Sequence, residues 1–249
     1  MELKGAILII GSLLWDPNQN SLIGFRKKWR NKRLQMDNRI HVKAPIRYGR
    51  ESGNGKNLTM VFSSDCDNKT KFGTAFLVPV KNAKIKSVRG IVNQARFLSE
   101  AEGSANKKLC KGNNDKWCTI GILFNPKLKK NLKEDILKRW RELILKDDGL
   151  KDFTDYKVGN EKSVLSNKGE ILIKWIKSID KDCQTRINEF DFILATCTKP
   201  NVKQYPNSEE IANDIINDNR KYFFNNLING ITTFQDKVVL KSNTSQPHA

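Results

Sequence analysis

The chain has 249 residues, 38% hydrophobic and 29% charged, with a formal net charge of +18; this is the size of one large domain or two small ones, carrying a field that attracts polyanions. No apolar run approaches the roughly 18 residues of a membrane span. The apolar start over residues 5–15 lacks a basic leader and a small-residue cleavage site, so no membrane association is expected and the chain is placed in the cytoplasm. Five cysteines without a C-x-x-C pair, and two histidines only, His41 and His248, count against a disulfide framework, a metal site and a serine–histidine triad. The chemistry left to this chain runs on carboxylates, hydroxyls, thiols or backbone amides.

In chain order, residues 3–14 (L-K-G-A-I-L-I-I-G-S-L-L) predict a buried strand over 6–10 running into a glycine turn, and Trp15-Asp16-Pro17-Asn18 breaks regular structure. Residues 26–33 (R-K-K-W-R-N-K-R) form a dense basic run. Trp29 within it either stacks on a nucleic-acid base or lies in the core beneath a solvated basic face. Alternation predicts a strand over 40–46, a loop over 51–57, a strand over 58–62, a hairpin turn over 65–71 and a returning strand over 72–80. Val88, Ile91, Val92, Ala95 and Leu98 recur at helical spacing, and Gly103 stops that helix.

Residues 117–124 (W-C-T-I-G-I-L-F) read as a strand, and 128–146 as the clearest helix in the chain. Residues 170–179 are ambiguous between helix and strand, and 190–198 (F-D-F-I-L-A-T-C-T) read as a strand. Ser208 is the expected N-cap of a last helix reaching about residue 229, with Ile211, Ile215, Tyr222 and Phe223 facing inward. The fold class is therefore α+β, with a small mixed or antiparallel sheet able to close into a barrel and helices outside it. One domain is expected over 1–240, with a helical elaboration at about 125–168 and a disordered tail over 241–249.

Two short features carry candidate chemistry. Gly11-Ser12-Leu13-Leu14 ends the first strand, and backbone N–H groups of such a turn bind an anion, although an ordinary turn has the same sequence. Leu98-Ser99-Glu100-Ala101-Glu102-Gly103 puts two carboxylates at a helix end. At i, i+2 they point to different faces, so at most one faces a given pocket, as a general base or as a solvated helix end.

Together these two features resemble the γ-glutamylcyclotransferase-like superfamily, which includes γ-glutamylcyclotransferase and the ChaC proteins. Ile10-Gly11-Ser12-Leu13-Leu14 stands where the family has Y-G-S-x-L. Trp15-Asp16-Pro17 is similar to the ChaC loop, Gly73-Thr74-Ala75-Phe76 to the family's second hairpin strand, and Leu98 to Gly103 to its L-D-x-x-E-G segment. The resemblance covers roughly residues 5–124. It implies a small barrel with a central cavity, in which Glu102 is the catalytic acid/base and Gly11, Ser12, Leu13 and Leu14 bind substrate. The implied reaction cyclises a γ-glutamyl amide or amine to 5-oxoproline, with no cofactor and no metal. Ile10 replaces the family tyrosine, so a hydroxyl near the substrate is missing, and Ser99 replaces an aspartate. The alternatives are a non-catalytic cavity protein that binds an acidic partner or nucleic acid, and an enzyme of this fold acting on another anionic small molecule, with Arg47 and Arg50 near the cavity mouth or simply at an exposed strand end.

Overall fold

A computed structural model describes residues 2–17, 25–52, 57–81, 84–104, 106–111, 117–148, 152–217 and 221–244. Nine strands and seven α-helices lie among them. The strands are β1 (Gly5–Ile9), β2 (Ile40–Ala44), β3 (Ile46–Ser52), β4 (Asn57–Phe62), β5 (Gly73–Pro79), β6 (Cys110–Lys111), β7 (Cys118–Phe124), β8 (Lys177–Ser178) and β9 (Phe192–Thr198). The helices are α1 (Phe25–Arg33), α2 (Val88–Ala101), α3 (Lys130–Asp148), α4 (Gln184–Ile187), α5 (Ser208–Asn217), α6 (Lys221–Ile228) and α7 (Asp236–Thr244). No helix among the described residues is long and apolar enough to cross a membrane.

Seven strands form one mixed sheet in the order β6-β7-β9-β1-β5-β2-β8, and β3 and β4 form a separate ribbon. Only β1 and β9 run parallel, in register Ala6 to Ile193; the other neighbours are antiparallel. The α+β class is therefore observed. Among the described residues the ladder does not close into a barrel: β6 and β8 are its two edges.

The central strands β1 (GAILI) and β7 (CTIGILF) are buried at every position, and β9 is buried at all but its last. Such continuous apolar runs are what a strand covered on both faces requires. Toward the edge, β2 (IHVKA) alternates buried and open positions, as a strand with one wet face does. α2 buries Ile91, Val92, Ala95, Leu98 and Ala101 in one stripe, and the Ser87 hydroxyl accepts from the Gly90 N–H at its start. Trp140 of α3 is wholly buried, and its indole N–H donates to the Ile120 carbonyl at 3.2 Å.

Several expectations are corrected. The segments 58–62 and 72–80 do not pair as a hairpin: β4 pairs with β3, and β5 with β1 and β2. Pro45, between β2 and β3, lets the chain leave the large sheet, and the turn over 63–72 returns it. The ambiguous 170–179 stretch is extended, with bridges from Glu170 to Ile122 and from Ile171 to Leu165 and the short β8. The last helix is two, α5 and α6, with 218–220 outside the described residues. Its N-cap is Asn207 rather than Ser208: the Asn207 carboxamide oxygen accepts from the Glu209 and Glu210 N–H groups, and Glu210 accepts from the Asn207 N–H in return. α7 runs to Thr244, so part of the expected tail is helical; residues 245–249 lie outside the described residues. The elaboration after residue 125 is helical over α3 and irregular from 152 onward.

Candidate functional site

β1 and β9 are parallel neighbours, so their carboxyl ends open at the same edge of the sheet. Beyond β1 the chain makes a single helical turn. The Gly11 carbonyl accepts from the Leu14 N–H at 3.0 Å, and the Ser12 carbonyl from the Trp15 and Asp16 N–H groups at 3.2 and 2.8 Å. As at any helical start, the first N–H groups, those of Gly11, Ser12 and Leu13, take no part in these bonds. From α1, Arg30 reaches beneath the turn and donates to the Leu13 and Asp16 carbonyls at 2.6 and 3.0 Å. Burial pushes the Arg30 pKa down and neighbouring Arg26 adds to this, with Asp16 opposing.

The end of α2 supplies the carboxylate. Gly103 has φ +88°, a conformation that costs an L-residue energy and glycine none. It lets the Ser104 N–H bond the Ser99 carbonyl at 3.0 Å while its own N–H bonds Glu100 at 2.8 Å. This is a Schellman closure, and it fixes Glu102 as the helix C-cap. A carboxylate at that end meets the negative pole of the helix. Arg26 offsets this: its Nη2 lies 3.4 Å from Glu102 Oε2 and its Nε donates to the Ala101 carbonyl at 3.1 Å. Its Nη1 donates to Ser12 Oγ at 3.1 Å and to Asp16 at 2.7 Å. One guanidinium thus ties the helix end to the strand-end turn, and its planar set of donors is what allows this.

These groups line one cavity of about 430 Å³. Its near wall holds Ile10, Gly11, Ser12, Leu13, Arg26 and Glu102. Tyr222 of α6 closes over the turn, with its hydroxyl 2.8 Å from where a Cβ on Gly11 would lie. That hydroxyl accepts from the Met60 N–H at 3.4 Å. Burial pushes the Tyr222 phenol up to about 12, so it keeps its proton and remains a donor. The far wall is made by Arg50, Thr59, Trp117, Thr196 and Thr198. A bulge between Tyr48 and Arg50 shifts the β3 register by one residue, which turns Arg50 away from the face of wholly buried Tyr48. Thr196 is 8% exposed, and its Oγ1 has no hydrogen-bond partner among the described residues. A buried hydroxyl without a partner is costly in a closed protein and inexpensive where a ligand completes it.

Four of the five expected site residues meet here: Glu102, Gly11, Ser12 and Leu13. Leu14 does not line the cavity: it is buried, and its N–H is used inside the turn. Glu100 points elsewhere, pairing with Lys107 at 3.2 Å. Ser99 is buried and its hydroxyl bonds the Lys108 carbonyl, a structural role. Trp29 is in the core at 5% exposure, which excludes base stacking. Arg50 lines the cavity, whereas Arg47 lies over the Tyr205 ring at 3.9 Å. His41 stacks on Phe76 and bonds the Gly230 carbonyl, outside the cavity. Burial pushes the Cys66 and Cys197 thiols up, away from nucleophilic use. Sequence reasoning missed Arg26, Tyr222, Trp117 and Thr196 as site residues; Tyr222, Trp117 and Thr196 are remote in the chain from the Gly11–Leu14 turn, and Arg26 lies twelve residues beyond it. No protein-family model, curated protein or solved structure matches the chain.

Proposed function

We propose that this chain is a γ-glutamylcyclotransferase-like enzyme that cyclises a γ-glutamyl amide or amine to 5-oxoproline. The observation that carries the reading is that Glu102 and residues Gly11–Leu13, at least 89 positions apart in the chain, line one cavity and are linked through Arg26. In this reading Glu102 takes a proton from the substrate α-ammonium, and the freed amine attacks the γ-carbonyl of the same molecule. The N–H groups of Gly11, Ser12 and Leu13 hold the α-carboxylate or the developing oxyanion. Glu102 then returns the proton to the leaving amine. Ring closure within a single substrate depends mainly on holding it folded, which a lined cavity can do. Tyr222 supplies from α6 the hydroxyl that Ile10 cannot.

The far wall receives the leaving group, where Arg50 and the Thr196 hydroxyl favour an anionic or hydrogen-bond-accepting substituent. The same wall supports a second reading, an enzyme of this architecture acting on a different anionic small molecule. The test is 5-oxoproline release from a panel of γ-glutamyl amines, dipeptides and tripeptides. Glu102→Gln is expected to lose about 10²–10⁴-fold in rate with its melting temperature little changed, and Glu100→Gln to lose far less. A Glu102→Gln enzyme as active as wild type would remove the assigned role. Turnover of no panel member by wild type would shift the assignment to the second reading.

A further inference from the structure

The basic residues occur along the whole chain, but two segments carry them without any acidic neighbour in sequence. Residues 26–33 and 81–97, a tenth of the chain, hold eleven of its 45 basic residues and none of its 27 acidic ones. The fold joins the two segments. Lys81 donates from its backbone N–H to the Arg33 carbonyl at 2.7 Å, and from Nζ to the Asn31 carbonyl at 2.5 Å. The Arg33 guanidinium lies 3.6 Å above the Phe97 ring of α2, and Arg26 bonds the α2 carbonyl of Ala101. α1, α2 and the strap between β5 and α2 are therefore one surface.

Arg26 and Arg30 turn inward to the strand-end turn. The outward side of α1 carries Lys27, Lys28 and Lys32, all exposed. The adjoining strap and α2 carry Lys81, Lys84, Lys86, Arg89 and Arg96, of which Lys84 pairs with Glu2 at 3.0 Å. Neither segment has a carboxylate of its own, so apart from the Glu2–Lys84 pair these cations reinforce one another's field.

We infer that the joined α1–α2 face binds the phosphate backbone of nucleic acid without reading base sequence. Three observations favour nucleic acid over a lipid surface. The exposed positions between the cations are polar, Asn31 and Asn93, which suits hydrogen bonding to phosphate and sugar. The large exposed apolar side chains, Leu145, Leu172, Ile179, Ile216, Ile228 and Val238, all belong to other segments, so this face has no described residue of that kind to insert into a bilayer. Trp29, the one tryptophan of the run, is in the core, so the face offers charge without an indole to stack on bases. The inference is independent of the cavity and its chemistry.

The test is binding to a mixed-sequence duplex oligonucleotide as a function of salt. A face that engages about five phosphates gives a log–log slope near −4.5, so affinity falls roughly several-hundred-fold between 50 and 200 mM salt. The triple variant Lys28→Glu, Lys32→Glu, Arg89→Glu is expected to weaken binding at least ~30-fold at 50 mM salt and to flatten the slope by about 3. A control of equal charge change, Lys138→Glu, Lys146→Glu, Lys168→Glu, is expected to stay within about 3-fold of wild type. Melting curves of both variants establish that they fold. Equal losses in the two variants would show a net-charge effect and overturn the inference. So would an unaffected triple variant, wild-type duplex binding weaker than millimolar at 50 mM salt, or tighter binding to phosphatidylserine-containing vesicles than to the duplex.

Discussion

The packing of Tyr222 over Gly11 can be tested without any assumption about activity. A Cβ at Gly11 would lie 2.8 Å from the Tyr222 hydroxyl oxygen and 3.8 Å from Cζ. The first distance is a clash and the second an ordinary contact, so the hydroxyl alone forbids the methyl group. Tyr222 has little room to retreat, because its ring meets Trp15 edge-on at 6.3 Å and its hydroxyl holds the Met60 N–H. Forcing a methyl into such a site typically costs about 1–3 kcal/mol. Gly11 has no positive φ, so alanine brings no backbone strain and gains about 0.4–1 kcal/mol by restricting the unfolded chain. Gly11→Ala is therefore expected to destabilise by about 1–2 kcal/mol. Tyr222→Phe removes a long hydrogen bond, at about 1 kcal/mol or less. The double variant is expected to be as stable as Tyr222→Phe or slightly more so, giving a coupling of about 1.5–2 kcal/mol. Urea denaturation of the four proteins, with equal m-values as the control, measures it. Additivity within about 0.5 kcal/mol would refute the placement of Tyr222 against the turn, and with it the claim that its hydroxyl stands in the cavity.

Arg26 and Asp236 give two further predictions. Arg26→Ala removes the link between α2 and the strand-end turn and strips the counter-charge from Glu102, whose side chain is 12% exposed; a loss of about 2–3 kcal/mol is expected, against less than about 0.5 kcal/mol for exposed Lys28→Ala, both by denaturant melts, and equal effects would contradict the latch role. Asp236 caps α7 through Thr233, yet burial pushes its carboxyl up from 3.8 to about 6 while the Thr233 bonds pull the other way. Because the folded-state value is the higher one, the stabilisation from protonation is full below about pH 4 and is lost as pH rises through 6, a swing of about 2–3 kcal/mol. The stability difference between wild type and Asp236→Asn, followed from pH 4 to 7, should move in favour of wild type as pH falls; a flat difference would contradict the shift.

What the sequence makes legible here is local. Uniformly apolar runs announced β1, β7 and β9, and the periodicity of Ile91, Val92, Ala95 and Leu98 announced α2, because burial on two faces or one stripe leaves a direct composition mark. Spacing alone separates the faces of Glu100 and Glu102 without choosing between them; the choice of Glu102 rests on the resemblance, and in the structure Gly103 in the left-handed region makes Glu102 the cap. Pairing was misread: four residues, 53–56, separate β3 from β4 and ten, 63–72, separate β4 from β5, and β4 joins the nearer strand. Alternation marks the two faces of a strand and does not choose its partner, whereas the short 53–56 connection favours a β3–β4 hairpin. The open sheet has the same cause, since edge positions in β6 and β8 rest on two residues each.

The missed half of the site had a mark that went unread. In α1 the inward positions are Arg26, Trp29, Arg30 and Arg33, while the exposed ones at 27, 28 and 32 are lysines. Arginine at i, i+4 and i+7 beside a tryptophan is the pattern of a helix face that must hold several acceptors at once, which the planar guanidinium does and a lysine cannot. The basic run is therefore divided by helix geometry: Arg26 and Arg30 hold the turn and Glu102, Arg33 packs on the Phe97 ring, and the lysines are directed to solvent. The division has a consequence for the experiments above. Reversing Lys28 and Lys32 should weaken polyanion binding while leaving the cavity intact, because those side chains take no part in the Ser12–Arg26–Glu102 bridge. Replacing Arg26 should do the opposite, loosening the cavity while leaving most of the basic face in place. If instead each change disturbed both properties, the two faces of α1 would be one site, and a phosphate-bearing substrate spanning them would be the simpler account.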